Sequence, residues 1–227
     1  MKKIIGIFLF FLITCTSNLV YASNTIVVND DNSDGYSALH LSEIGLTRDI
    51  YNLAIKGLRR LDIERKLQNL NIITIIDYSQ SSNQKRLYVI DLKNQKLLFN
   101  TYVAHGRKTG QEFAKTFSNS DGSYQSSLGF YITQQTVIGS HTGFALSLSG
   151  VEKGINDNAC RRAIIMHAAD YVSESFIKKN GRLGRSLGCP ALPPELNKPI
   201  IEAIKGGTCL FLYNPDPVYM CQSTLLN

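Results

Sequence analysis

Arg86-Leu87-Tyr88-Val89-Ile90-Asp91-Leu92 and Leu97-Leu98-Phe99-Asn100-Thr101-Tyr102-Val103-Ala104 lie on either side of Lys93-Asn94-Gln95. Both runs are rich in β-branched and aromatic residues, and the polar triplet between them is turn chemistry, so together they predict a β-meander. Upstream, Ile72 to Tyr78 has the same composition; downstream, shorter strands are expected near 129–133 and 144–148. Gly and Ser clusters such as Ser118-Asn119-Ser120-Asp121-Gly122-Ser123 separate them, and this density of turns favours a sandwich or barrel-like sheet over a parallel α/β sheet. The expected class is therefore mainly β with a few peripheral helices.

Two segments have helical periodicity. Ile50, Leu53, Ala54, Leu58 and Leu61 recur at three- and four-residue spacing after Thr47, whose hydroxyl is placed to cap the first turn. Pro193-Pro194 leads into Leu196, Ile200, Ile201 and Ile204 before Gly206-Gly207, a short amphipathic helix whose start is blurred by Pro199. Thr208 to Tyr213 then reads as a buried strand. No internal repeat is present.

At the N-terminus, Lys2 and Lys3 precede an apolar run from Ile4 to Ile13 and a polar stretch ending Val20-Tyr21-Ala22. That order of basic, apolar and small residues predicts a secretory signal peptide, residues 1–22. The run falls short of the ~20 apolar residues that span a bilayer. Leu12-Ile13-Thr14-Cys15 faintly resembles a lipoprotein signal, but Thr14 is larger than the residue that usually precedes a lipidated cysteine; membrane attachment is expected only if Cys15 is lipidated. Ser23 to about Asp34 lacks apolar periodicity and reads as a flexible lead-in within an N-terminal segment, 23–70. The formal charge of +6 includes Lys2 and Lys3 and is too mild to imply nucleic acid, and no nucleic-acid motif is found.

Export would carry Cys160, Cys189, Cys209 and Cys221 into an oxidising compartment. A thiol that acts as a nucleophile must stay reduced, leaving at most one disulfide among the other three. Cys189 sits in Gly184-Arg185-Ser186-Leu187-Gly188-Cys189-Pro190, with Lys178, Lys179, Arg182 and Arg185 nearby and no acidic residue between Glu174 and Glu195. Glycine before cysteine permits a tight turn and brings backbone N–H groups near a developing oxyanion, and the basic setting favours thiolate. The alternative reading of Cys189 is a half-cystine on a basic loop. His167, upstream at the end of Ala163-Ile164-Ile165-Met166, is placed to serve as a base at a strand tip; the alternative is a structural histidine. The order His before Cys and the absence of the papain flanking motif speak against a papain-like enzyme, no His-Glu-x-x-His pattern exists, and neither metal nor cofactor is expected.

Ser186-Leu187-Gly188-Cys189 with His167 upstream resembles the active-site signature of the L,D-transpeptidase catalytic domain, the YkuD-like family, in its murein L,D-transpeptidase branch. The resemblance runs from about Ile72 to Tyr213. It takes in Arg86 to Leu92, Val103-Ala104-His105-Gly106-Arg107, Ser126-Ser127-Leu128-Gly129-Phe130-Tyr131 and Gly154-Ile155-Asn156-Asp157-Asn158-Ala159. It implies a β-sandwich-like catalytic domain over 71–215, followed by a tail, 216–227. It also implies Cys189 as nucleophile, His167 as general base and acid, and the N–H groups of Leu187, Gly188 and Cys189 as an oxyanion hole.

The implied partner is a peptidoglycan stem peptide, cleaved before its terminal D-amino acid and passed as a thioester to an amine, or to water in an L,D-carboxypeptidase. An inactive wall-binding domain is the reading from outside the enzyme class. Leu187 stands where many members carry a second histidine, and Pro190-Ala191 replace the usual aliphatic and Arg or Asn. Substrate carboxylate binding is therefore expected from Arg185, Arg182 or Arg162. Ser186 is counted with them at the substrate cleft, as are Asn156 and Asn158, for which turn formation is the alternative, and His141, whose alternative is a surface role. The implied location is periplasmic or wall-associated.

Overall fold

The computed structural model describes residues 33–227. The expected signal peptide at 1–22, Cys15 and nearly all of the expected lead-in lie outside the described residues.

A first short helix, α1 (Ser33–Ala38), falls at the end of the expected lead-in, and Tyr36, Leu41 and Leu46 around it are buried. The segment orders because these apolar side chains join the core, and the Tyr36 hydroxyl donates to the Leu46 carbonyl at 2.7 Å. Helix α2 (Arg48–Ile63) follows as its periodicity predicts. Thr47 is its N-cap and accepts from the Ile50 N–H, and Asp49 sits in the first turn where the helix dipole favours an anion. Its buried stripe of Ile50, Tyr51, Ala54, Ile55, Leu58 and Leu61 packs on the sheet.

The strands are β1 (Ile72–Asp77), β2 (Leu87–Asp91), β3 (Lys96–Thr101), β4 (Gly129–Gly139), β5 (Gly143–Gly150), β6 (Ile165–Ala168), β7 (Ala191–Leu192) and β8 (Cys209–Tyr213). They form one sheet in the order β3-β2-β1-β8-β4-β5-β6-β7. The mainly β class holds, and β1-β2-β3 is the expected antiparallel meander. Only β1–β8 and β6–β7 are parallel. The central strand β1 is buried at every position, as covered sheet centres are. Phe130 of β4 stacks on Phe211 of β8 at 4.1 Å between ring centroids.

Between β6 and β7 lies α3 (Glu174–Asn180), capped by Ser173 and stopped by Gly181 in the left-handed conformation. Helix α4 (Pro194–Ile204) tolerates Pro199 one turn in and packs on β1, β5 and β6. The C-terminal stretch contains α5 (Pro217–Gln222), and Leu225 and Leu226 beyond it are buried. Lys56 of α2 donates to the Leu226 carbonyl at 2.5 Å, tying this stretch to α2. Among the described residues no helix is long and apolar enough to cross a membrane.

The sheet's two outer strands are joined through the chain that follows β3. Ala104 donates to the Ala191 carbonyl at 2.9 Å, and Ala191 returns the bond at 3.3 Å. The sheet is thus curled until one rim meets the other, and residues 104–107 form a strap along β7 and the turn before it.

Candidate active site

The strap and β6 grip the Cys189 turn from two sides. On one, His167 of β6 pairs in parallel register with Ala191, and the His167 N–H donates to the Pro190 carbonyl at 3.3 Å. On the other, the Arg107 N–H donates to the Ser186 carbonyl at 2.8 Å and the Ser186 N–H to the His105 carbonyl at 3.0 Å. Gly106 is needed there, because a Cβ would lie 2.7 Å from the Tyr124 carbonyl oxygen and 3.0 Å from Gly188 Cα. Gly188 itself has a φ of 129°, a conformation that L side chains rarely adopt.

Cys189 is a free, half-buried thiol. Its Sγ accepts from the Ile165 N–H at 3.5 Å and donates to the Ala163 carbonyl at 3.7 Å. Ala163 is itself left-handed, with a φ of 51°, a strained conformation at the lip of the site. Burial pushes the Cys189 thiol above its ordinary range, against the opposing pull of the Ile165 N–H and the Arg162 guanidinium. His167 is buried at 8% exposure, and burial lowers its pKa. Its Nδ1 is 2.8 Å from the Ala168 carbonyl, which can only accept, so Nδ1 carries the proton and Nε2 keeps its lone pair. The resting pair is therefore a neutral thiol and a neutral imidazole with a basic nitrogen available.

Beneath the strap lies a support that the sequence reading did not single out. Arg86 is fully buried; it donates to the Val103 carbonyl, to the Gln80 carbonyl at 2.7 Å and to His105 Nδ1 at 2.8 Å. Burial brings Arg86 down to about 10, which leaves it charged at neutral pH. Burial and that cation push His105 down to about 3, so His105 is neutral and its Nε2–H faces the Gly110 carbonyl. The available signal was an arginine opening an apolar strand, in a run that the family resemblance also takes in.

Ser186 closes the turn around the thiol. Its hydroxyl donates to the Cys189 carbonyl at 2.5 Å and accepts from the Gly188 N–H at 3.0 Å. Of the three amides expected at an oxyanion hole, that of Gly188 is thus engaged, and that of Cys189 lies beside its own sulfur. The Leu187 N–H has no protein acceptor among the described residues, and the Leu187 side chain is 57% exposed.

Arg185 reaches across to the strap, donating to the Arg107 carbonyl at 2.9 Å and the Gly110 carbonyl at 3.0 Å. Arg182 donates to the Leu183 carbonyl. Arg162 donates to the carbonyls of Ser118 at 2.8 Å and Gln125 at 2.6 Å, and to the hydroxyls of Ser127 and Ser123.

Asn156 is fully buried. It donates to the Leu128 and Phe130 carbonyls and accepts from the Glu152 N–H, which is the turn role. Asn158 is bound to Asn119 through its N–H and its side chain. His141 lies exposed in the turn between β4 and β5, four residues from Ala145, the partner of His167 on β5. At a strand rise of ~3.3 Å per residue that is roughly 13 Å along the sheet. The structure thus gathers Cys189, His167, Ser186, Arg185 and Arg162 around one turn; Asn158 reaches this group only through its carbonyl, which accepts from the Arg162 N–H at 2.8 Å, and Asn156 and His141 make no hydrogen bond to it among the described residues. Among the described residues no three His, Cys, Asp or Glu side chains are grouped to hold a metal.

No curated protein matches the chain. Solved structures with a similar course include an L,D-transpeptidase from Mycobacterium smegmatis, at 10% identity and a TM-score of 0.40 over 63% of this chain and 59% of that one. An L,D-transpeptidase from Mycobacterium tuberculosis matches at 15% identity and 0.38 over 63% and 58%. The helical cell shape determining protein Pgp2 from Campylobacter jejuni matches at 13% identity and 0.46 over 74% and 57%. The chain spans less than two thirds of the length of each. A family model described as the L,D-transpeptidase catalytic domain matches residues 42–213, so that α2 falls within the matched region. With that match over most of its length, this chain belongs to the L,D-transpeptidase catalytic domain family.

Proposed function

We propose that this chain is an exported cysteine L,D-transpeptidase that acts on stem tetrapeptides of peptidoglycan, with Cys189 as nucleophile and His167 as base and acid. Membership of the family supports the reaction class. The observation that carries the residue assignment is the pairing of His167 with Ala191, which fastens the imidazole's strand to the segment holding Cys189.

In the reaction, His167 Nε2 takes the thiol proton as the sulfur attacks the carbonyl carbon of the third stem residue. A C–S bond forms, the C–N bond to the terminal D-amino acid breaks, and the proton on His167 passes to the leaving amine. The developing oxyanion is met by backbone N–H groups of the Cys189 turn, of which that of Leu187 is uncommitted. An acceptor amine then gives its proton to His167 and attacks the thioester, forming the cross-link and restoring the thiol.

The residues at 1–22 support delivery to the periplasm or the wall, where the substrate lies. Incubating the protein with purified tetrapeptide wall fragments and weighing the products tests the reading. Loss of one D-amino acid together with a cross-linked dimer mass is expected. Loss of the amino acid with no dimer would make the chain a carboxypeptidase, and intact tetrapeptide would overturn the enzymatic reading.

A further inference from the structure

Arg162 is built into the protein in a manner that does not suit a side chain waiting for a ligand. Its four hydrogen bonds end on uncharged acceptors: the carbonyls of Ser118 and Gln125 and the hydroxyls of Ser123 and Ser127. The one acidic residue of that loop, Asp121, is bound instead to Arg161 at 2.8 Å. The nearby Asp157 is held by Asn119 and the Gly154 N–H. Among the described residues no carboxylate pairs with the guanidinium. It also lies against the nucleophile's turn, since Nη2 is 3.4 Å from the point a Cβ on Gly188 would occupy, next to Cys189.

We propose that Arg162 is a positioning residue for Cys189: its uncompensated cation, locked into the 118–127 loop and packed on Gly188, favours the ionised sulfur and fixes the turn that carries it. The proposal rests on Cys189 being the nucleophile.

The other groups around the sulfur do not supply that charge. Tyr78, after β1, and Tyr171, after β6, both feel the sulfur, and burial pushes each phenol up to about 12, so both are neutral. His167 on β6 is neutral at rest because burial lowers its pKa. Arg86 under the strap lies over the Tyr78 ring at 5.0 Å, and its donors go to the Val103 and Gln80 carbonyls and to His105, not to the turn that carries the sulfur. In a site whose burial opposes thiolate, a fixed cation beside the turn counts for far more than it would in water. The same loop also reaches the turn directly, because the Ser126 hydroxyl donates to the Gly188 carbonyl at 3.0 Å. Arg162 thus joins the two tasks.

The test is the pH dependence of iodoacetamide alkylation at Cys189, resolved by peptide mass, in the wild-type protein and in Arg162→Met and Arg162→Lys. The exposed thiols of Cys160 and Cys221 serve as references in the same samples. In Arg162→Met the Cys189 midpoint is expected to move up by about one pH unit, so that its rate at neutral pH falls about tenfold, with the references unmoved. Arg162→Lys keeps the charge and is expected to restore most of that rate. Should Arg162→Met fail to fold by circular dichroism, Arg162→Gln, which retains donors for the loop without the charge, takes its place. An unmoved midpoint in a folded neutral variant, or an equal shift in the Lys variant, would overturn the proposal. Because alkylation does not depend on turnover, loss of the transpeptidase reading through a fully active Cys189→Ala variant would be told apart from failure of this one.

Discussion

His167 and Ala191 sit opposite each other in parallel register, and the His167 N–H reaches back to the Pro190 carbonyl at 3.3 Å. The imidazole and the turn holding the thiol are therefore tied through backbone, without relying on a side-chain contact between them. Both Sγ contacts go to the backbone of residues 163 and 165.

Removal of either group should separate chemistry from folding. Cys189→Ala is expected to abolish product formation and to shift the urea midpoint little, since the side chain is only half-buried. His167→Ala should lower turnover by ~10²–10⁴-fold, the usual contribution of a positioned acid–base group. A rate for His167→Ala within a factor of three of wild type would move the base to another residue.

The direction of the histidine shift sets the acid limb. Burial lowers the pKa of His167, so the neutral, basic form persists as pH falls below the ordinary value of ~6.5. The acid limb of kcat/KM should accordingly lie below pH ~6.5. A limb centred above neutrality would mean that His167 is stabilised as a cation in the free enzyme.

Gly106→Ala tests the strap. The added methyl would press on the Tyr124 carbonyl and on Gly188, so the strap or the Cys189 turn must shift. A misplacement of that order costs about 10²-fold in kcat/KM, whereas overpacking lowers stability by about 1–3 kcal/mol. Unchanged kinetics in the folded variant would show that the strap does not position the turn.

Glu152 links pH to stability away from the site. It is buried at 4% exposure and accepts from the Phe130 N–H at 2.7 Å and from the hydroxyls of Ser223 and Tyr219, yet burial raises its pKa. In the window between the unfolded and the raised folded pKa, the native state holds the extra proton, so stability falls as pH rises through that window. Glu152→Gln removes this dependence. Its urea midpoint relative to wild type should therefore improve from pH 4 to pH 7; a constant difference would show that the carboxyl titrates alike in both states.

Gly57→Ala probes the helix–sheet contact. A Cβ there would fall 2.0 Å from Phe130 Cζ, and Phe130 is held by its stack on Phe211. Despite the helix-favouring change, a loss of about 1–3 kcal/mol is expected in urea unfolding. A gain in stability would mean that the ring pair slides freely.

What was legible in the sequence was what local pattern determines. The β-branched run at 72–78, the meander at 86–104 and the stripe from Ile50 to Leu61 each carry their own period, and all three stand where expected. Helix α3 was missed because Glu174–Asn180 has no buried residue and hence no apolar stripe to read. The order in α1 escaped because Tyr36 is fixed through Leu46, Arg48 and Tyr51, contacts outside its own short helix that no apolar period in 33–38 records.

At the site, Gly188-Cys189 and His167 were visible as chemistry-bearing types at a workable spacing. The commitments of Arg162 and Asn156 were not, because both depend on the 118–130 loop folding back onto the chain, which no periodicity records.

The meeting of the two sheet rims at Ala104 and Ala191 also bears on when the protein becomes reactive. The Cys189 turn is shaped by residues some eighty positions earlier in the chain, so no N-terminal fragment ending before β7 holds the assembled turn. Contacts so remote along the chain are slow to form, because loop-closure entropy opposes them. A newly made polypeptide would thus carry the Cys189 thiol in an unshaped loop, and the turn would take its form together with the finished tertiary structure.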